Sequence, residues 1–70
     1  MTAENREKFR EICAKRGCRK DWQIAEKLGF SREVLSRKLN GKVYFTIPEI
    51  SKICDLFAIS KKEAAELFIP

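Results

Sequence analysis

Four polar residues with complementary hydrogen-bonding groups lie close together in a segment of helical spacing: Arg32, Glu33, Ser36 and Arg37. Arginine can donate two hydrogen bonds to guanine, glutamate can accept one from cytosine, and serine can pair with several base edges. If Leu35 points inward on a helix, Glu33 and Arg37 lie near the opposite side, Ser36 flanks them, and Arg32 lies at the N-terminal tip. These residues therefore have the chemistry to contact base pairs, although Glu33 and Arg37 could instead pair across one helical turn.

Apolar residues recur at helical spacing along the chain, and the alternation typical of strands is nearly missing. Glycines, Ser or Thr caps and two Thr/Ser-x-x-Glu capping boxes, which begin at Thr46 and Ser60, separate these stretches. The predicted helices cover about residues 3–16, about 21–28, 32–39, a stretch after Thr46 that carries apolar residues 50, 53, 54 and 57, and a stretch after Ser60 through about residue 67. The pattern predicts an all-α fold, a compact bundle of about five short helices.

The two helices between residues 21 and 39 have the spacing of a helix-turn-helix. Small Ala25 lets the helices approach closely, Gly29 takes the turn, and Leu35 points inward. Ser31 caps the helix that follows. We expect Trp22 and Phe30 to pack in the core or the turn.

The segments Ile24–Ser31 and Leu35–Gly41 together resemble the Cro and phage-repressor (XRE) helix-turn-helix family. The segments Ile50–Asp55 and Phe57–Ser60 resemble that family's fourth and fifth helices, so the likeness covers roughly residues 5–68. It implies a lambda-repressor-like DNA-binding domain, a single domain over residues 1–70, in which residues 32–39 are the recognition helix. The chain resembles small phage or prophage Cro-like regulators more closely than it resembles a full-length repressor with a cleavable C-terminal half.

The resemblance also implies roles for individual residues. Together with the helical wheel, it implies that Arg32, Glu33, Ser36 and Arg37 contact bases. It also implies phosphate contacts at Asn40 and around Lys42. We further expect Arg19, Lys20 and Gln23 to contact phosphate, because they lie at the start of the second helix, where side chains and the helix N-terminus can meet phosphate. A solvated surface at Arg19 and Lys20, and an ordinary helix stop at Asn40-Gly41, are the alternatives.

One position departs from the family pattern. The family often has glutamine at the start of the second helix, where this chain has Asp21. The phosphate contact expected there is therefore in doubt, and Gln23 or Lys20 could replace it.

The charge of +5 over 70 residues is unevenly distributed. Residues 15–42 contain nine Lys and Arg against three acidic residues, whereas residues 43–70 have three against four. The helix-turn-helix segment thus carries +6 and the remainder −1, which indicates an anionic partner such as duplex DNA.

Several function classes are disfavoured by composition. The chain has no histidine, which is the commonest general base and metal ligand. Its three cysteines lack the paired spacing of a zinc site. We expect Cys13 and Cys54 in the core and Cys18 exposed in a basic turn. We expect no enzymatic activity, no cofactor, no metal, no membrane span and no small-molecule substrate.

These observations favour a sequence-specific, double-stranded DNA-binding transcriptional regulator, a Cro-like repressor in the cytoplasm of a bacterial or phage-infected cell. A protein-interaction module, such as an antitoxin-like partner or an anti-repressor, is the alternative because fold alone does not decide function. The apolar C-terminal residues predict a homodimer on a palindromic operator, with a role as core filler left open. These residues are Leu67, Phe68 and Ile69.

Overall fold

Four of the five helices in the described part of the chain begin where a side chain accepts a hydrogen bond from the first turn. In the computed structural model, which describes residues 1–69, the chain forms α1 (Ala3–Lys15), α2 (Asp21–Leu28), α3 (Arg32–Leu39), α4 (Ile47–Phe57) and α5 (Lys61–Phe68). Thr2, Ser31, Thr46 and Ser60 each accept a bond from the N–H group three residues later. Each bond satisfies a donor that has no partner within the helix. Residues 1–69 contain no strand, so the predicted all-α bundle of five helices is confirmed.

The two predicted capping boxes have different outcomes. At the start of α4, Glu49 Oε1 accepts from the Thr46 N–H at 2.8 Å, which completes the first box. At the start of α5, Glu63 Oε1 instead accepts from the Ser60 hydroxyl at 3.3 Å, so the second box was predicted wrongly in that half. The hydroxyl lies between the carboxylate and the Glu63 N–H and bonds to both.

The turn between α2 and α3 is made by Gly29, which adopts φ 75° and ψ 24°. This left-handed conformation costs glycine little and other residues more. It lets the Phe30 N–H donate to the Ala25 carbonyl at 2.9 Å. Ser31 then caps α3 at once, so the predicted helix-turn-helix geometry is present. Helix α1 ends at Lys15, one residue earlier than expected.

Side chains from other helices hold several helix C-termini. Lys52 Nζ of α4 donates to the Leu28 carbonyl of α2 at 3.4 Å, and Arg6 of α1 donates to the Leu39 carbonyl of α3 at 3.4 Å. These carbonyls have no partner within their own helix. The bonds therefore attach both helices of the helix-turn-helix to the rest of the bundle.

The core is centred on Phe9 of α1, which is fully buried. Its ring centroid lies 5.9 Å from Phe68, 6.3 Å from Phe57 and 6.5 Å from Phe45. The first two pairs meet edge to face, an arrangement that aromatic rings prefer. Phe45 precedes α4 in a loop, so this aromatic cluster joins α1, α4, α5 and the loop after α3.

Lys38 of α3 is buried, although the sequence analysis counted it among the surface charges. Its side chain is 8% exposed, and its Nζ lies 2.7 Å from Glu49 Oε1 and 3.2 Å from the Tyr44 carbonyl oxygen. The ammonium also lies 5.3 Å and 5.6 Å from the ring centroids of Phe30 and Phe45. The charge is thus satisfied by an ion pair, a carbonyl and two aromatic faces.

Other side-chain placements correct the sequence-based expectations. Trp22 was expected to pack in the core or the turn but is 48% exposed, because the buried face of α2 is filled by Ile24, Ala25 and Leu28. Cys18 was expected to be exposed but is buried, because its N–H donates to the Cys13 carbonyl and folds the turn back onto the core.

The apolar C-terminal residues have separate locations. Leu67 is buried, and the Phe68 ring packs 5.0 Å from Phe45 within the aromatic cluster. Ile69 is 66% exposed. Leu67 is therefore a core residue, Phe68 is half-buried against the core, and Ile69 is the most exposed of the three. Cys13 is buried as expected, whereas Cys54 is only half-buried.

Replacing Lys38 should destabilise the fold. In Lys38→Met, the Glu49 carboxylate loses its charged partner, so the free energy of unfolding should fall by about 2–3 kcal/mol. This is at the lower end of the loss for fully buried pairs, because Glu49 is partly exposed. Chemical denaturation followed by circular dichroism measures this change. The control Lys62→Met removes an exposed lysine and should stay within about 0.5 kcal/mol of the wild type. Equal stability of Lys38→Met and the wild type would contradict the structural role of the pair.

Stability should also fall at acid pH through Glu49. Burial raises the pKa of this carboxyl, but the hydrogen bonds from Lys38 and Thr46 and the Lys38 charge outweigh it, so the pKa lies below its ordinary value. A group with a lowered pKa stabilises the fold above its unfolded pKa and stops doing so as pH falls through the folded pKa. The stability advantage of the wild type over Glu49→Gln should therefore shrink between about pH 6 and about pH 3. Denaturation of both chains across this range tests it, and a constant difference would contradict it.

Candidate nucleic-acid interface

The exposed face of α3 brings the four predicted base-contacting residues together. Arg32, Glu33, Ser36 and Arg37 are all exposed, and with Asp21 of α2 they line one shallow surface hollow. On the opposite side of the helix, Leu35, Lys38 and Leu39 are buried. The inward orientation of Leu35 on which the helical wheel depended is therefore confirmed.

The two charged residues in this hollow are not paired with each other. Within residues 1–69, the salt bridges are Arg10–Asp21 and Lys38–Glu49. The Glu33 carboxylate and the Arg37 guanidinium, although one turn apart, make no ion pair and keep their hydrogen-bonding groups available. The alternative prediction, an ion pair between Glu33 and Arg37 across one helical turn, is therefore not confirmed.

The candidate phosphate-contacting residues lie at two places beside this face. Arg19, Lys20 and Gln23 are at the start of α2, and Asn40 and Lys42 follow α3. Gln23 Oε1 accepts from the Arg19 and Lys20 N–H groups at 2.9 and 3.0 Å, so it caps α2. Only its amide N–H groups are left for a ligand.

Asn40 and Lys42 are exposed where α3 ends. The Asn40 side-chain amide donates to Ser36 Oγ at 3.3 Å, which links a candidate phosphate contact to a candidate base contact. Asn40 itself has φ −84°, and Gly41 takes the left-handed conformation with φ 77°. The side chains of Asn40 and Lys42 therefore lie on the protein surface directly after α3.

Arg10 of α1 is a residue that the sequence analysis missed. Its guanidinium holds Asp21 with two bonds, Nε to Oδ1 at 3.1 Å and Nη2 to Oδ2 at 3.0 Å. This accounts for the unusual acidic residue at the start of α2, whose charge is balanced by a partner on another helix. The helical pattern of α1 identifies its buried stripe but gives no information about a partner eleven positions later.

The positive charge on the surface of the helix-turn-helix segment is slightly smaller than its composition suggests. Lys38 is neutralised by Glu49 in the interior, so eight rather than nine of the basic side chains between residues 15 and 42 contribute to the surface. Three acidic residues of this segment remain, and Asp21 is paired with Arg10. The surface of this half is still strongly positive.

Candidates for a second site within residues 1–69 are the thiol of Cys13 and the potential metal ligands. Burial raises the pKa of the Cys13 thiol to about 12, with smaller contributions from Cys18 and Asp21, so this thiol stays protonated. Residues 1–69 hold no group of three potential metal ligands. No helix in that range has the length and apolar character needed to cross a membrane.

Comparison with known proteins agrees with this geometry. A family model described as a Cro/C1-type HTH DNA-binding domain matches residues 8–68. Neither a search of curated proteins nor a search of solved structures returned a match. The match covers almost the whole chain and both helices of the helix-turn-helix. The protein therefore belongs to the Cro/C1-type helix-turn-helix family of DNA-binding domains.

Proposed function

We propose that the chain is a sequence-specific regulator of transcription that binds double-stranded DNA with α3 in the major groove. The observation that carries this proposal is the exposed α3 face, on which four polar side chains share one hollow while the opposite face is buried. The buried side of α3 fixes the position of this helix before DNA arrives, so binding does not have to order its backbone.

Each residue of the α3 face has a distinct role in the proposal. Arg32 at the N-terminal tip and Arg37 five residues later donate to guanine edges. Ser36 pairs with a base edge, and Glu33 accepts from cytosine. The phosphate contacts set the position of α3 on the duplex and supply most of the affinity. They come from the residues on either side of this face, Arg19, Lys20, Gln23, Asn40 and Lys42.

Repression by a dimer completes the proposal. Two copies side by side place two recognition helices in successive major grooves of a palindromic operator and deny the promoter to polymerase. The Cα positions extend 25 × 25 × 23 Å, so adjacent copies fit half-sites that lie about 34–36 Å apart. The setting is the cytoplasm of a bacterial or phage-infected cell, where the protein associates with the nucleoid.

The dimer contact in this proposal is the apolar groove between α4 and α5. Ile47 and Ile69, which are 79% and 66% exposed, border this groove, and Ile50 and Cys54 lie in it. Exposed apolar residues that lie together in one groove are typical of an interaction site, whereas isolated ones are ordinary. Of the predicted C-terminal contact, Phe68 and Ile69 line this groove, and Leu67 does not.

The same groove favours the second candidate function, a protein-interaction module. In that case an apolar segment of another protein binds between α4 and α5, and DNA affinity is weak and independent of sequence. Pull-down experiments together with DNA binding at several salt concentrations distinguish the two functions.

Arg37→Ala should weaken binding to a selected operator by about 1–3 kcal/mol and relax the preference at one base pair. The comparison variant Lys42→Ala removes a phosphate contact, so it should weaken binding to operator and random duplex alike. Fluorescence anisotropy with both duplexes measures each effect. An Arg37→Ala chain that binds both duplexes as the wild type does would show that this residue reads no base.

Disruption of the groove should separate the dimer. Ile47→Asp with Ile69→Asp introduces two carboxylates, so the chain should sediment as a monomer while the wild type sediments as a dimer. The matched control Leu56→Asp changes an apolar residue of α4 that is 40% exposed and lies outside the groove. It should remain dimeric in analytical ultracentrifugation. Dimers of the groove variant, or a monomeric wild type, would contradict the proposed contact.

A further inference from the structure

The ion pair between Arg10 and Asp21 joins the middle of α1 to the first residue of α2. The two distances between guanidinium nitrogen and carboxylate oxygen, 3.0 and 3.1 Å, are those of an arginine–carboxylate pair with two hydrogen bonds. Both side chains are 47% exposed. The pair therefore has good hydrogen-bond geometry but lies at the surface.

An exposed ion pair of this kind contributes little to the stability of the fold. Exposed salt bridges contribute about 0–1 kcal/mol, because water screens the charges and two long side chains lose freedom. In addition, Asp21 is an acidic residue that lines the hollow with Arg32, Ser36 and Arg37. A carboxylate at that position would repel a DNA backbone unless a cation accompanies it.

The position of the pair relative to α2 is the second observation. Asp21 is the first residue of α2, and the backbone N–H groups of a first helical turn point outward with a partial positive charge. The Arg19 and Lys20 N–H groups are already bonded to Gln23 Oε1, so the start of α2 is held rigid. The Arg10 guanidinium is fixed beside this rigid start by Asp21.

We propose that Arg10 is a further DNA-binding residue, which contacts the phosphate backbone at the start of α2 and is positioned there by Asp21. This inference rests on the proposed DNA binding and adds a residue of α1 to the interface. The guanidinium has five N–H donors and Asp21 uses two, so three remain for phosphate oxygens. Asp21 thus acts through Arg10 and does not itself contact DNA.

The double variant Arg10→Ala/Asp21→Asn separates this role from simple neutralisation, because it keeps the net charge of the wild type. If Arg10 contacts phosphate, the double variant should bind a random-sequence duplex of about 20 base pairs about three- to tenfold more weakly than the wild type. The slope of log affinity against log salt should also decrease in magnitude by about 1. If Arg10 only offsets the Asp21 charge, the double variant should bind with the wild-type affinity and slope, and that result would overturn the inference.

The matched control is Lys8→Ala/Glu11→Ala, which also removes one positive and one negative charge from the surface. Lys8 and Glu11 lie in a different hollow, between α1 and α5. This control should retain the wild-type affinity and salt slope, and an equal loss in the control would overturn a specific role for Arg10. Thermal melting of both double variants verifies that they fold.

A measurement on the unmodified chain keeps the inference testable if the double variant does not fold. The Nε–H resonance of Arg10 in ¹⁵N-edited NMR should shift on titration with the same duplex, while the wild type retains the Asp21 bond. An unshifted resonance in a chain that binds the duplex would overturn the inference alone. A wild-type chain that binds no duplex at all would overturn the proposed function as well.

Discussion

The orientation of α3 depends on the ion pair between buried Lys38 and half-buried Glu49. Lys38 follows Arg37 directly in α3, so one residue points into the interior while its neighbour points to solvent. The 2.7 Å bond to Glu49 ties the inner side of α3 to the first turn of α4. Glu49 also accepts from the Thr46 N–H, so one carboxylate starts α4 and fixes the rotation of α3. Within residues 1–69, no buried side-chain nitrogen or oxygen lacks a hydrogen-bond partner.

The remaining contacts extend this constraint to the whole helix-turn-helix. Lys52 of α4 bonds to the end of α2, Arg6 of α1 bonds to the end of α3, and Arg10 of α1 bonds to the start of α2. Each of these is a polar side chain from outside the motif that meets a helix terminus or its first residue. A short helix has little stability by itself, so these contacts act together with the burial of apolar side chains of α2 and α3 in the core. The buried residues are Ile24, Leu28, Leu35 and Leu39. A preorganised α3 face follows from this arrangement.

Much of the fold could be predicted from local signals. Ser31 and Thr46 are caps whose chemistry acts within four residues, and Gly29 takes a backbone conformation that few residues tolerate, so both kinds of boundary are readable in the sequence. The exposed face of α3 followed from the inward orientation of Leu35 and the helical period. The roles of the α3 residues in DNA contact remain predictions.

The features that were missed depend on contacts between distant parts of the chain. The burial of Lys38 requires Glu49, Phe30 and Phe45 around it, and composition alone counts any lysine as surface charge. Trp22 looked like a core residue because it is apolar, yet α2 already fills its buried face without it. Arg10 and Asp21 are each ordinary surface residues until the packing of α1 against α2 brings them together.

Selection of bound sequences from a pool of random duplex DNA measures directly whether α3 recognises a specific sequence. Recognition by a dimer predicts enrichment of one sequence made of two inverted half-sites, with centres separated by about one helical turn of 10–10.5 base pairs. The enriched positions should lose definition when the α3 face is altered and the buried pair is kept intact. A pool that remains random after repeated rounds, with retention that depends only on salt, would contradict sequence-specific recognition by this helix.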